Sequence, residues 1–318
     1  MNKRRTLQSV RTGEPIIQRS SPAPKNAKGD LAGIEMRLPT HALFRTVWFA
    51  GNTLLILAIL LAGYSGIWEY STRKYLKGFS DAVVPSSAST EAKAEAILHW
   101  MSNGPLRENA IPDTSMPDRD PIDTLNYGSL LKICGSATNA FVNLADSAGL
   151  PARRLLLLDS RQMAMHVVAE VLVDGRWIVV DPAFRTVFRG SNGGLLTREQ
   201  LTDPVVFSQA TRDIRGYSPE YTFDHTVHVR VDRLGLMALP LRGALNRILP
   251  GWDDSVALSL LMERESLAML VFAIVLAAVL TLLRIFLRWY GERWLRLRPV
   301  RVREQFRRAC YAFLDTAG

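Results

Sequence analysis

The sequence predicts an α+β domain held between two transmembrane helices, and three observations predict it. Two long apolar runs free of charge flank the middle of the chain, a helical pattern follows the cysteine at position 134, and two strand-like runs meet at an Asp-Gly turn. The 318 residues and 48% hydrophobic content suit a packed core with room for more than one domain.

Residues 1–46, with SSPAPKNAKGD in their middle, read as a disordered basic arm. From Thr46 to Trp68 there is no charged residue, and the stretch at 47–68 is long enough for a hydrocarbon core that takes about 20 residues. A cleaved signal peptide would carry a shorter apolar region nearer the start, whereas a polar arm precedes this one. Residues 69–120 are expected to form a stalk, with an amphipathic helix near Ala92 to Met101, and then a loop rich in Pro and Asp.

The compact domain is expected over 121–235. Ala137, Ala140, Phe141, Leu144, Ala145 and Ala148 recur at spacings of three and four, which predicts a helix with one apolar face. Gly149 and Leu150-Pro151 stop it, and it starts at or just after Cys134, with Ser136 available as a cap. A thiol there stands at the positive end of the helix dipole, which favours thiolate. Next come two β-rich runs around Asp174-Gly175, a strong two-residue hairpin signal. Such a turn sets Val173 opposite Arg176, Glu170 opposite Val179 and Val168 opposite Asp181. His166 and Asp181 then leave the same face as diagonal neighbours about 7 Å apart at the backbone, within reach of an imidazole–carboxylate hydrogen bond. Segment 191–220 is read as either a lid or a surface loop. YTFDHTVHVRV, at 221–231, alternates as an extra strand; on it His225 and His228 point to opposite faces, so no metal site is expected.

Residues 236–265 form a juxtamembrane segment in which LPLRGALNRILPGWDD suits a membrane-surface helix. A second span is expected over 266–287 and a basic tail over 288–318. Trp48, Tyr64 and Trp68, and then Trp289 and Tyr290, stand at the ends of the apolar runs, where interfacial belts form. Residues 1–46 and 284–318 each hold nine basic and three acidic residues, and the middle is acidic on balance, although the whole chain carries +9. By the positive-inside rule both tails are expected to be cytoplasmic, with the central domain across the inner (cytoplasmic) membrane, extracytoplasmic, and in the periplasm if the cell is Gram-negative. The positive charge is thus topological. The tail suits anionic lipid, and no recognition module for nucleic acid accompanies it.

Only two cysteines are present, and this topology puts Cys134 and Cys310 on opposite sides. A lone thiol in an oxidising compartment is either a buried structural cysteine or a reactive one. A thiol at a helix start, a histidine on a strand and an aspartate on the paired strand can form a nucleophile, a general base and an orienting carboxylate.

At these residues the chain resembles the transglutaminase-like superfamily, a branch of the papain-like cysteine enzymes in which a Cys helix precedes a His strand and an Asp strand. The resemblance runs from about Tyr127 to Phe184. It rests on C-G-x-A from Cys134, G-L-P-A-R from Gly149, H-x-x-x-E from His166 to Glu170, D-G-R-W from Asp174 and D-P at Asp181-Pro182. It implies Cys134 as nucleophile, His166 as base and Asp181 as orienter, in a mixed α+β fold whose helix packs on an antiparallel sheet. The family usually has Gly two residues before the cysteine and an aromatic residue two after the histidine; here Lys132 and Val168 stand there. Asn126 and Tyr127 are candidates to bind an oxyanion beside the Cys134 N–H. Glu170 is either a solvated strand residue or part of the site wall, and Arg153 is expected in a structural ion pair.

The function expected is that of a membrane-anchored thiol enzyme acting on amide bonds of a peptide, protein or cell-wall substrate, without cofactor or metal. Water as acyl acceptor makes it a protease or amidase, and an amine makes it a transglutaminase proper. The rival is a non-catalytic transglutaminase-like module that binds or scaffolds envelope protein partners.

Overall fold

The computed structural model describes residues 38–103, 120–125, 133–229 and 238–295. Of its two compact units, 1–50 and 51–318, the described part of the first is the opening of helix α1. The rest of the architecture belongs to the second.

Helix α1 (Leu38–Val83) and the last helix, α9 (Glu265–Arg293), are each long and apolar enough to cross a membrane. Only 11% and 17% of their most apolar windows is buried, so neither is the core helix of the domain. Ile56, Leu60 and Ile67 on α1, and Phe272, Val279 and Phe286 on α9, face outwards. Where the two helices touch, Leu55, Ala58 and Leu280 form a small cluster.

At a rise of about 1.5 Å per residue, α1 is twice as long as a hydrocarbon core is thick. Its last turns enter the domain, where Leu76 is fully buried. Within residues 69–120, expected as stalk and loop, α1 thus continues to Val83, and α2 (Thr90–Ser102) follows. Ser89 caps α2 by accepting from Ala92 N, and Ala94, Ile97, Leu98 and Met101 turn inward. Phe79 of α1 meets Trp100 of α2 edge to face. The short α3 (Pro121–Thr124) leads towards α4 (Cys134–Ser147).

Helix α4 has the expected length and stop: Gly149 takes the left-handed conformation, φ 70°, and Leu150 N donates back to Ala145 O. Its start differs in one detail. Ile133, which supplies no capping hydrogen bond, is the N-cap, and Ser136 lies buried inside the first turn. The helix is buried all round between Ser136 and Ala145. Ala137, Ala140, Phe141 and Leu144 fill one core cluster with α2 and one face of the sheet.

The sheet is antiparallel, in the order β4-β3-β2-β1-β5. Its strands are β1 (Ala152–Leu158), β2 (Ala164–Val173), β3 (Arg176–Asp181), β4 (Thr186–Val187) and β5 (Thr226–Val227). Asp174 and Gly175 both have positive φ, 48° and 80°, the conformation a tight two-residue hairpin demands. The register sets Val173 against Arg176 and Glu170 against Val179, as the turn predicts. The extra strand is shorter than the alternation suggests: β5 pairs with β1, with His225 exposed before it and His228 buried after it.

The other face of the sheet carries a second layer, which settles the place of segment 191–220. It contains α5 (Arg198–Leu201) and α6 (Pro204–Thr211), started by Thr197 and Asp203 as side-chain caps. Leu196, Leu201, Phe207 and Phe223 pack there against Leu155, Leu157, Val168 and Val179. After α7 (Ala238–Ile248) comes a short 3-10 turn, Trp252–Asp254, tied back by Trp252 Nε1 donating to Asn246 Oδ1. Helix α8 (Val256–Glu263) then packs on α4 and β1 and leads into α9.

Candidate active site

Helix α4 brings Cys134 to the site and the hairpin brings the rest. The thiol is half-buried and reduced. Its helix has no side-chain cap, so the positive end of the dipole is left to the groups around the sulfur. His166 lies near the start of β2, 1% exposed, and Asp181 ends β3, fully buried. His166 Nε2 and Asp181 Oδ2 are 2.7 Å apart. The other carboxylate oxygen accepts from the backbone N–H groups of Ala183 and Phe184, at 3.0 and 3.1 Å. The Asp-Pro turn thus fixes one oxygen of Asp181 and aims the other at the imidazole.

With Nε2 committed to Asp181, Nδ1 is the nitrogen left for the thiol, and the Cys134 side chain hydrogen-bonds His166. Burial by itself pulls the imidazole pKa down. The Asp181 charge and hydrogen bond, with a smaller part from Cys134, outweigh it and raise His166 to about 9. The imidazolium is therefore the resting form at neutral pH.

Three rings enclose His166, all of them outside the set read from the sequence. Tyr221 stacks flat on the imidazole, with centroids 4.3 Å apart and planes 9° from parallel. Phe184 and Tyr217 meet it edge-on, at 5.8 and 6.1 Å. Phe184 comes from the turn after Asp181, and both tyrosines come from the end of the second layer. Rings from distant segments thus enclose a histidine that has Val168, in place of an aromatic residue, two positions on. The Tyr217 hydroxyl lies buried beside Asp181. Burial first, then the Asp181 charge, push its ionisation far above the ordinary value of 10.0, so it stays neutral. The only sequence signal for these rings is a pair of tyrosines four apart in the turn-rich stretch GYSPEY.

Glu170 is not brought to this trio. It lies four residues along β2 from His166, about 13 Å in an extended strand. Its Oε2 accepts from Arg153 Nε at 2.7 Å and sits 2.7 Å from His228 Nε2. Arg153 is the ion-pairing residue expected, and its guanidinium also lies over the Trp177 ring at 4.1 Å. Asn126 and Tyr127 fall outside the described residues. Among the described residues no group of three or more His, Cys, Asp and Glu side chains could hold a metal ion. An open cleft of about 410 Å³, lined by Arg198, Thr202 and the residues from Phe223 to Val227 among others, contains none of Cys134, His166 and Asp181.

A helix laid on an antiparallel sheet, carrying a thiol to an imidazole that a carboxylate holds on the adjoining hairpin, defines a domain of the transglutaminase-like class. Residues 77–182 match the family described as the transglutaminase-like superfamily, whose members are mostly cysteine-based enzymes, and the chain therefore carries a transglutaminase-like domain. The match begins inside α1 and ends one residue after Asp181, so it spans all three residues of the trio. No curated protein and no solved structure matches the chain.

Proposed function

We propose that this protein is a membrane-anchored thiol enzyme that cleaves or exchanges amide bonds through an acyl-thioester, with Cys134 as nucleophile, His166 as acid and base, and Asp181 as its orienter. The observation that carries the reading is the fully buried His166–Asp181 pair, whose second nitrogen is left to the only cysteine of the domain. Asp181 sustains the imidazolium, and the imidazolium with the helix dipole favours thiolate at Cys134.

In the first half-reaction the thiolate attacks the amide carbonyl carbon, forming a C–S bond and placing negative charge on the carbonyl oxygen. The Cys134 N–H, at the uncapped start of α4, is a donor to that oxyanion. The tetrahedral intermediate collapses as His166 passes its proton to the amine nitrogen; the C–N bond breaks and the amine leaves. In the second half-reaction water, or an acceptor amine, attacks the thioester while His166 takes its proton. The C–S bond then breaks and the thiolate returns. Hydrolysis is the reading preferred for a peptide, protein or cell-wall amide.

The two apolar helices are the membrane spans in this reading, with the basic ends cytoplasmic and the domain on the other side. In sealed right-side-out membrane vesicles a membrane-impermeant thiol reagent is expected to label Cys134 and spare Cys310.

The reading is tested on the full chain in lipid nanodiscs by the rate of Cys134 alkylation across pH, in the parent and in His166→Ala. The parent is expected to react with an inflection well below the unperturbed thiol value of about 8.5. In His166→Ala that inflection returns towards 8.5, and the rate at pH 6.5 falls by about a hundredfold. A parent thiol that titrates normally would leave the domain as a non-catalytic module.

A further inference from the structure

The polar side of the nucleophile helix is not solvated. Asn139 and Asn143, one turn apart on α4, are 1% and 0% exposed. Asn139 Nδ2 donates to the backbone oxygen and to the carboxylate of Glu263, and Asn143 Nδ2 donates to the same backbone oxygen at 3.2 Å. The residue after Glu263 is Arg264, the single non-helical residue between α8 and α9. Its guanidinium is almost wholly buried and each of its donor nitrogens meets a different acceptor. Nε donates to Asn143 Oδ1 at 2.9 Å, Nη2 to Asp146 Oδ2 at 3.0 Å and Nη1 to Glu69 Oε1 at 3.2 Å. Glu69 lies on α1, directly after its uncharged run, and its other oxygen accepts from Ser266 Oγ, in the first turn of α9, at 2.7 Å.

One side chain thus joins both apolar helices to the helix that carries Cys134. A buried guanidinium persists only where its charge and its donors are all met. The planar fork of arginine holds its donors on three separate nitrogens in fixed directions, whereas an ammonium gathers its three on one atom. Asn143 stands nine residues from Cys134, about 13 Å along a stiff helix, so a tilt at Arg264 moves the sulfur relative to His166. Misplacement by an ångström is enough to cost a reaction about a hundredfold.

We propose that Arg264 is a positioning residue for Cys134, and that through the Glu69–Arg264 clasp the packing of the two apolar helices sets the reactivity of the thiol. The proposal rests on Cys134 being the nucleophile, as argued above. It makes the membrane helices part of the catalytic apparatus: a change in how α1 and α9 pack, imposed by the bilayer or by a partner's transmembrane helix, is read out at the sulfur.

The full chain is needed to test it, because a soluble fragment from Ser71 to Asp254 loses Glu69, Glu263 and Arg264 together. The probe is Cys134 alkylation in lipid nanodiscs, compared at pH 6.5 and pH 9, with backbone amide exchange over residues 134–147 measured alongside. The variants are Arg264→Lys, Arg264→Met, and the double variant Glu69→Gln with Arg264→Met. The double variant strands no buried charge, since Arg73 and Asp146, which lose a partner, are exposed, and it keeps the test open where Arg264→Met alone does not fold. Folded double variant is expected to lose roughly tenfold of its pH 6.5 reactivity relative to pH 9 and to exchange faster in 134–147, with Arg264→Lys between it and the parent. A folded double variant with the parent's ratio and the parent's exchange overturns the proposal. Should the parent itself show no low-pH reactivity, the enzyme reading fails with it, while unchanged exchange in the double variant separately shows that the clasp does not seat the helix.

Discussion

Strand β2 carries two buried imidazole–carboxylate pairs of the same length. His166 meets Asp181 at 2.7 Å, and His228 meets Glu170 at 2.7 Å. They differ in what surrounds them. His166 keeps one nitrogen for a thiol, and its carboxylate is steadied by two backbone amides beside the Tyr217 hydroxyl. His228 has no nitrogen to spare, because Nδ1 sits 2.8 Å from Asp254 Oδ1, and its carboxylate is shared with Arg153. The second cluster joins β1, β2, the chain after β5 and the turn before α8, which is what a structural staple does. A buried His–carboxylate pair is therefore not by itself a mark of catalysis; what sets the His166 pair apart is the second imidazole nitrogen left for a thiol.

Removing the staple should give the largest effect on stability and none on the chemistry. Glu170→Ala strands the Arg153 guanidinium and His228 inside the protein, at a cost of about 3–5 kcal/mol. Thermal unfolding of the full chain in detergent measures that cost, and the Cys134 alkylation profile of the folded protein should match the parent's. A shifted profile would mean that Glu170 serves the site after all. The pH dependence has a definite sign. Burial alone would raise the Glu170 carboxyl, but the His228 and Arg153 partners outweigh it and hold it below its ordinary 4.5. Its contribution is present above pH 4.5 and is lost as pH falls through the lower folded value.

The site pair should behave in the opposite way. His166 is raised from 6.5 to about 9, so its contribution is complete below pH 6.5 and is lost as pH climbs through about 9. Asp181→Asn keeps the shape and removes the charge that sustains the imidazolium. That variant is expected to lose the alkaline fall in stability and to react with alkylating agents about ten- to a hundredfold more slowly at pH 6.5. An unchanged alkylation profile would show that the carboxylate orients nothing of consequence, and the contrast between the two clusters would collapse.

Much of this site is legible in the chain because it is local. The Asp174-Gly175 turn fixes a register, and the register alone sets His166 and Asp181 on one face. The spacing after Cys134 gives the helix and its end at Gly149. What periodicity cannot show is that the other side of that helix is buried as well. Asn139, Asn143 and Asp146 look like a solvated polar face, and Arg264 and Glu69 look like the ordinary charged edges of two membrane spans. Only the fold brings these five groups together across more than a hundred residues. The rings around His166 are hidden for the same reason: Tyr217 and Tyr221 lie in a stretch with no period, and packing of Tyr217 against Phe188 and Phe207, and of Tyr221 against Tyr217, returns them to the site.

Tyr221 offers the finest test of how the two clusters differ, because its ring lies on one imidazole and not on the other. Stacked at 4.3 Å, it covers the face of His166, keeps water away and places electron density against the charged ring. A contact of this kind is worth about 0.5–1 kcal/mol, or about two- to fivefold in the thiolate population at a pH below the inflection. Tyr221→Phe keeps the ring and should leave the alkylation profile unchanged. Tyr221→Leu keeps an apolar cover without the π face and should slow alkylation at pH 6.5 by that factor. Equal loss in both variants would assign the effect to the hydroxyl. No loss in either would show that exclusion of water, which leucine also provides, is all that the ring contributes, leaving Asp181 as the group that holds the proton on His166.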